Sequence, residues 1–229
     1  MSRSFLCTCA LVVAVIFEPS LASAQDYPKA EIFGGYSYLH VDTHGISSNS
    51  LVNECNILAG GACPLTFGVH PGLNGWTASG QYNLSRWFGI EANVSGNYGN
   101  IITAKIAIPL PIPPVNLSTP DQHIYDFLLG PVISHRAHSY TVFAHGLLGA
   151  EHVGSGNFTV APVPVVDPVP SFSETDFAFA LGGGLDIKIT RHFSVRAGQF
   201  DYQFVSSSGN GHQNDFRFSS GIVFGFGGK

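Results

Sequence analysis

Charge is what this sequence has least of. Asp, Glu, Lys and Arg make up 11% of its 229 residues, against about 25% in an ordinary soluble protein. A water-soluble globule with so thin a charged coat would be poorly solvated, whereas a protein whose outer surface meets lipid has no such need. Basic clusters are missing as well. The formal net charge is −5, and without a Lys/Arg patch nucleic acid is excluded as a partner. Beyond the N-terminus no apolar run reaches the roughly 20 residues of a spanning helix. The nearest, Ile101 to Leu117, holds Lys105 and prolines at 109, 111, 113 and 114, which rule out a helix. No amphipathic helical repeat separates the β-like segments, so an α/β fold is excluded. Cysteine is scarce too, at four residues.

The first twenty-four residues read as a signal peptide. Arg3 supplies a positive n-region, Phe5 to Phe17 an apolar h-region, and Ala22-Ser23-Ala24 the small residues of a cleavage site. Cleavage after Ala24 would leave Gln25 first, and residues 25–229 as one domain. An uncleaved membrane helix fits poorly, because Glu18 and Pro19 interrupt a short stretch. Cys7 and Cys9 lack the context of a lipobox, so no lipid anchor is expected. Cys55 and Cys63 remain in the mature part, and in an exported chain they read as a local disulfide. No second Cys/His pair lies at ligand spacing to make them a metal site.

What the chain does have is period-two alternation, repeated. Trp76, Ala78, Gly80, Tyr82 and Leu84 oppose Thr77, Ser79, Gln81 and Asn83. After a turn at Ser85-Arg86-Trp87 the pattern resumes, with Ile90, Ala92, Val94, Gly96 and Tyr98 opposing Glu91, Asn93, Ser95 and Asn97. A second hairpin runs from Phe177 to Ile189, turns at Thr190-Arg191-His192 and returns through Phe193 to Phe204. Its phase slips in the return strand, which predicts a β-bulge near Gly198 that keeps Arg196, Gln199, Asp201 and Gln203 on the polar side. Less cleanly alternating strands are expected at Glu31 to Val41, His123 to Ser134, Tyr140 to His152 and Phe216 to Phe226, making eight.

The connections alternate strictly. Those after the second, fourth and sixth strands are short; Asp42 to Leu73, Gly99 to Gln122, Val153 to Glu174 and Val205 to Asp215 are long. Bacterial outer-membrane barrels have this arrangement, with short periplasmic turns and longer external loops. A lipocalin-like soluble barrel would place charge outward and apolar side chains inward. Here the polar faces hold mostly Ser, Asn, Gln, Thr and Gly, and the apolar faces carry Trp76, Trp87, Phe88, Tyr98, Phe193 and Phe204 near strand ends, as interfacial girdles do. The fold expected is all-β: an eight-stranded antiparallel up-and-down transmembrane β-barrel.

Several segments carry a family likeness. They are Ile32-Phe33-Gly34-Gly35-Tyr36-Ser37-Tyr38, Tyr82-Asn83-Leu84-Ser85-Arg86-Trp87-Phe88-Gly89-Ile90-Glu91, Leu129-Gly130-Pro131 and Ser220-Gly221-Ile222-Val223-Phe224. Through them the mature chain resembles the outer-membrane β-barrel domain family, which includes OmpA-like transmembrane domains and opacity-type surface proteins. The resemblance implies an eight-stranded barrel in the cell outer membrane, inserted by the outer-membrane assembly machinery, with lipid and lipopolysaccharide around it. One departure is that the chain stops after the barrel, so no peptidoglycan-binding domain of the OmpA kind is expected. The ending Phe226-Gly227-Gly228-Lys229 departs from the terminal aromatic many members use as an assembly signal, a role then left to Phe226.

For chemistry, the inward Glu91, Asp186, Lys188, Arg196 and Arg217 are expected to form a buried charge network that plugs the lumen, since an eight-stranded interior is only wide enough for side chains. Among ten histidines, His40, His44, His70, His123, His152 and His212 fall at the external rim, His135, His138 and His192 on the periplasmic side, and His145 within a strand. No metal site follows from them. His138-Ser139 lies on the wrong side to act on external lipid A, and no motif sets a nucleophile beside a base. Gly182-Gly183-Gly184 sits inside a strand, where it eases close packing. Gly209-Asn210-Gly211 is turn chemistry, and Ile106 to Val115 is expected to run as a polyproline-like loop. The Cys55–Cys63 ring would restrict the unfolded first loop by about 2–3 kcal/mol. The reading is therefore of no enzyme, catalytic residue, cofactor or metal. It gives a monomeric barrel as structural anchor, its external loops contacting an extracellular ligand. A narrow porin-like channel and a lipid-modifying enzyme are the alternatives.

Overall fold

Eight long strands pair in an unbroken ring. The computed structural model describes residues 27–43, 46–58, 60–61, 65–106, 116–118, 122–155, 159–161, 173–207 and 211–227. The expected signal peptide with its cleavage site, His44, Cys63 and most of the proline-rich run lie outside the described residues.

In chain order the elements are β1 (Ala30–His40), α1 (Ser48–Leu58), β2 (Leu65–Val69), β3 (Gly72–Asn83), β4 (Phe88–Gly99), β5 (Ile102–Ile106) and β6 (Asn116–Ser118). They continue with β7 (Gln122–Arg136), β8 (Tyr140–Ser155), β9 (Thr159–Ala161), β10 (Ser173–Lys188), β11 (Phe193–Ser207) and β12 (Gly211–Phe226). Strands β1, β3, β4, β7, β8, β10, β11 and β12 close a barrel in which sequence neighbours pair and β1 meets β12. Every pair is antiparallel. Closure leaves no edge, which is what hydrocarbon demands, because nothing there can satisfy an unpaired backbone group.

The burial pattern is the reverse of a soluble barrel. In β3, Thr77, Ser79, Gln81 and Asn83 are buried while Trp76 and Tyr82 are exposed; in β4, Glu91, Asn93, Ser95 and Asn97 are buried while Ile90 and Tyr98 are exposed. Phe127, Leu129, Ile133, Leu148, Leu181, Phe200, Phe216 and Phe224 also lie on the outside. A continuous apolar band of this kind far exceeds what soluble monomers expose. Lipid is its natural surrounding.

Local chemistry makes the short turns. Ser85 Oγ accepts from the Phe88 amide at 3.1 Å, and the Leu84 and Ser85 amides donate to the Phe88 carbonyl. At the third turn, Thr190 Oγ1 accepts from the His192 amide at 3.4 Å. Short side-chain acceptors of this sort fix tight reversals. The bulge in β11 is where the phase slip places it. Pairing passes from Leu185–Gly198 to Asp186–Arg196 on one side and from Arg196–Gly221 to Gln199–Ser219 on the other.

Two features differ from expectation. The long connections are not simple loops: β2, β5, β6 and β9 form a second, four-stranded antiparallel sheet. Its strands come from the first, second and third connections. Extended backbone leaving the barrel can satisfy its amides by pairing with its neighbours, and short irregular runs hid this from a periodicity reading. Ile106 accordingly ends β5 rather than opening a loop. The first connection also contains a helix where none was expected. Ser47 caps it, exchanging bonds with Ser50 through both amides and hydroxyls. Gly60, at φ +64°, ends it, with the Gly61 amide returning to the Asn56 carbonyl at 3.1 Å. Because α1 connects antiparallel elements on one rim, it is no α/β crossover. Cys55, on α1, is disulfide-bonded.

Candidate functional site

A polar network crosses the lumen from one wall to the other. Arg217, whose side chain is completely buried, sits at its middle. Its Nε and Nη2 donate to Asp201 Oδ2 at 3.1 and 2.9 Å, and its Nη1 donates to Ser95 Oγ at 2.8 Å and Asp126 Oδ2 at 3.3 Å. Gln203 Nε2 extends the chain to Asp126 at 2.5 Å and Glu151 at 3.2 Å. His145 bridges to the next wall, with Nδ1 2.9 Å from Glu91 Oε2 and Nε2 2.9 Å from Asp201 Oδ1.

Arg196 forms the lower end. It donates to both oxygens of Asp186, at 2.8 and 3.1 Å, and to Gln199 Oε1 at 2.6 Å, while Gln199 Nε2 donates to Asp201 at 2.8 Å. Its guanidinium lies between the Phe33 and Phe143 rings, 4.1 and 4.2 Å from their centroids. Stacking on two faces compensates a desolvated cation. This explains why β1 alternates poorly in sequence: Phe33 points inward to serve Arg196.

Apolar residues complete the plug. Leu128, Leu147, Ala178, Ala180 and Val205 pack together inside the barrel. At the external end Leu39, Val41, Leu73 and Ile124 form a second cluster, with Ile101 and Val153 against it. The interior is thus less polar than the alternation implied.

Of the residues expected in the network, Glu91, Asp186, Arg196 and Arg217 are joined as described. Lys188 lies at the short-turn mouth, where Nζ donates to the Ala137 carbonyl at 2.7 Å. Asp126 and Glu151 were not singled out by sequence reasoning, nor was the bridging position of His145. On β7 the inward neighbours of Asp126 are Ile124 and Leu128, so neither face of that strand reads as polar.

The histidines divide by end. His40, His70, His123, His152 and His212 lie at the long-connection end, and His135, His138 and His192 at the other. Among the described residues no group of three or more His, Cys, Asp or Glu is arranged to hold a metal. Ser173 Oγ lies 3.4 Å from His152 Nε2. The other ring nitrogen faces Thr175 Oγ1 at 2.8 Å, whereas a nucleophile's base is ordinarily oriented by a carboxylate.

Aromatic groups mark the external boundary of the lipid band. Trp76 Nε1 donates to Tyr98 OH at 3.3 Å, Tyr98 OH to Tyr125 OH at 3.2 Å, and Tyr202 OH to Asn214 Oδ1 at 2.6 Å. Trp87, Phe88 and the Phe193–Phe224 pair stand at the opposite end. Such belts fix the depth of a barrel in its bilayer.

Comparison with known proteins agrees with this geometry. Residues 7–228 match the family described as outer membrane protein beta-barrel domain. No curated protein matches the chain in sequence. Among solved structures it is similar to Ail, the attachment invasion locus protein of Yersinia pestis, in complex with the heparin analogue sucrose octasulfate. That likeness is at 17% identity, over 86% of this chain and 99% of that one, with a TM-score of 0.50. It is similar also to Neisserial surface protein A, at 9% identity, over 86% and 97% of the two chains, with a TM-score of 0.50. These likenesses bear on fold. With the profile spanning nearly its whole length and the barrel closed as that family requires, the chain belongs to the outer-membrane protein β-barrel domain family.

Proposed function

We propose that the protein is an outer-membrane anchor that presents a surface-contact platform, exported by cleavage after Ala24. The observation that carries this reading is the division of labour between barrel and connections. The barrel interior holds packed side chains, with Arg217 at its centre and an apolar cluster at its external end. The long connections, by contrast, build a sheet of their own on the outside. Packed side chains across the lumen and a sheet built from the long connections support attachment over transport.

The charge of that platform narrows the partner. Lys105 is the only Lys or Arg in the four long connections, whereas Asp42, Glu54, Asp121, Asp167 and Glu174 lie there too. Such a surface suits a basic or apolar protein face and repels polyanions, by the complementarity that governs association. Ail was crystallised with a heparin analogue; the acidic connections here disfavour that ligand class.

The test displays the protein on a non-adherent bacterium and measures binding to immobilised basic proteins and to heparin. Replacing the segments 42–71, 100–121 and 156–172 together with short turns should abolish binding while leaving the unboiled-gel mobility of a folded barrel. Undiminished binding by the trimmed barrel, or a preference for heparin, would overturn the proposal.

A further inference from the structure

Four of the chain's ten Lys and Arg line one cavity. It lies at the short-turn mouth and has a volume of about 570 Å³. Arg86 comes from the first short turn, Arg136 from the end of β7, Lys188 from the end of β10 and Arg191 from the third short turn. The inward-facing Thr141, Asp186 and Val223 share the lining, so the cavity opens along the barrel axis rather than into the lipid-facing wall.

Backbone carbonyls hold these cations together, alongside Glu31. Arg136 Nη1 donates to the Arg86 carbonyl at 2.6 Å, and Arg86 Nη2 returns to the Arg136 carbonyl at 3.2 Å. Lys188 Nζ reaches the next carbonyl, that of Ala137. Only Glu31 and Asp186 add negative charge to the lining. Glu31 is engaged by Arg136 at 3.2 Å, and Asp186 by Arg196 from deeper in the lumen. Arg136 is 5% exposed, yet its Nε finds no acceptor among the described residues, although buried donors nearly always have one. Gathered like charge with a spare buried donor is a site organised for an anion.

We propose that this mouth binds a phosphorylated small molecule from the periplasm. Donors arriving from four separate elements surround a tetrahedral, doubly charged phosphate better than a planar carboxylate, and guanidinium forks match its oxygens pairwise. The cavity falls in the range of small-molecule sites, roughly 300–1,000 Å³, which leaves space for a sugar-sized body beyond the phosphate. This site is independent of the external platform, and neither depends on the other.

The refolded barrel, isotopically labelled in detergent micelles, is titrated with a hexose phosphate, the unphosphorylated hexose, succinate and an acidic peptide. A parallel arm compares nanodiscs with and without phosphatidylglycerol. Hexose phosphate should saturate, moving amide signals in residues 84–87, 137–139 and 189–192, with succinate roughly tenfold weaker and the hexose inert. Arg191→Gln, on an exposed turn, should weaken binding roughly tenfold, the effect of losing one charge-assisted contact. Arg191→Lys should restore part of it, and Arg86→Gln with Arg191→Gln should abolish it. Unboiled-gel mobility establishes that each variant is folded. If Arg86→Gln does not fold, the Arg191 pair alone decides. Absence of saturation, equal binding by the Arg191→Gln variant, or tighter binding of the acidic peptide or of phosphatidylglycerol nanodiscs would each overturn the proposal.

Discussion

Removing Arg217 should cost the barrel more stability than removing any other lumen side chain. The Arg217→Met substitution keeps length and bulk but takes away the cation between Asp201 and Asp126. Breaking a buried ion pair typically costs about 3–5 kcal/mol, because the remaining charge is left uncompensated. Here both acids retain other contacts: Asp201 keeps His145 and Gln199, and Asp126 keeps Ser95 and Gln203. The lower end, about 3 kcal/mol, is therefore expected. A domain stable by roughly 5–15 kcal/mol survives that loss. With a urea slope of about 1–3 kcal/mol/M, the midpoint should fall by roughly 1–3 M. The assay is urea unfolding of the refolded barrel in liposomes, read by tryptophan fluorescence and by unboiled-gel mobility. Arg217→Lys should fall between, since a single ammonium cannot span both acids as a fork does. Adding Asp126→Asn and Asp201→Asn to Arg217→Met should recover much of the loss. If Arg217→Met stays within about 0.5 kcal/mol of the parent, or the neutralised triple variant is no better, the network does not hold the lumen together as argued.

Other outcomes follow from the same structure. In planar bilayers the purified protein should show no large steady conductance, and a wide open pore would contradict the plugged lumen. Gly35→Val should block assembly, because a β-carbon there meets the Ser220 carbonyl across the β1–β12 closure; folded-barrel mobility equal to the parent's would refute this. Peptide mapping of the exported protein should find Gln25 at the N-terminus and Cys55 joined to Cys63, and free thiols at both would contradict the ring. Lipid A from cells expressing the protein should have an unchanged mass spectrum. A new species lost in Ser173→Ala would make the Ser173–His152 contact catalytic.

Most of the barrel was legible because lipid outside and a crowded polar interior impose opposite demands on alternate residues. Strand β4 obeys that demand along its length and β3 from Trp76 onward, and even the β11 bulge announced itself as a phase slip. The exceptions have identifiable causes. On β7, Asp126 hides between Ile124 and Leu128 because the inner wall is apolar there; on β1, Phe33 turns inward to stack on Arg196. The Ser47 cap and the Gly60-Gly61 stop of α1 were present in the sequence, but an eleven-residue helix within a long connection has no alternation to betray it. The cavity at the short-turn mouth was beyond reach for another reason. Arg86, Arg136 and the neighbouring Lys188 and Arg191 lie on three separate stretches of the chain, and only ring closure brings them around one opening.

The external sheet draws β2 from the first connection, β5 and β6 from the second and β9 from the third. An antibody raised against the folded sheet should therefore bind it better than any one of these segments as a free peptide. The same interlocking constrains drift, since an insertion within β5 or β6 disturbs its pairing with a strand of another connection. Insertions within these strands should accordingly be tolerated less well than insertions outside them.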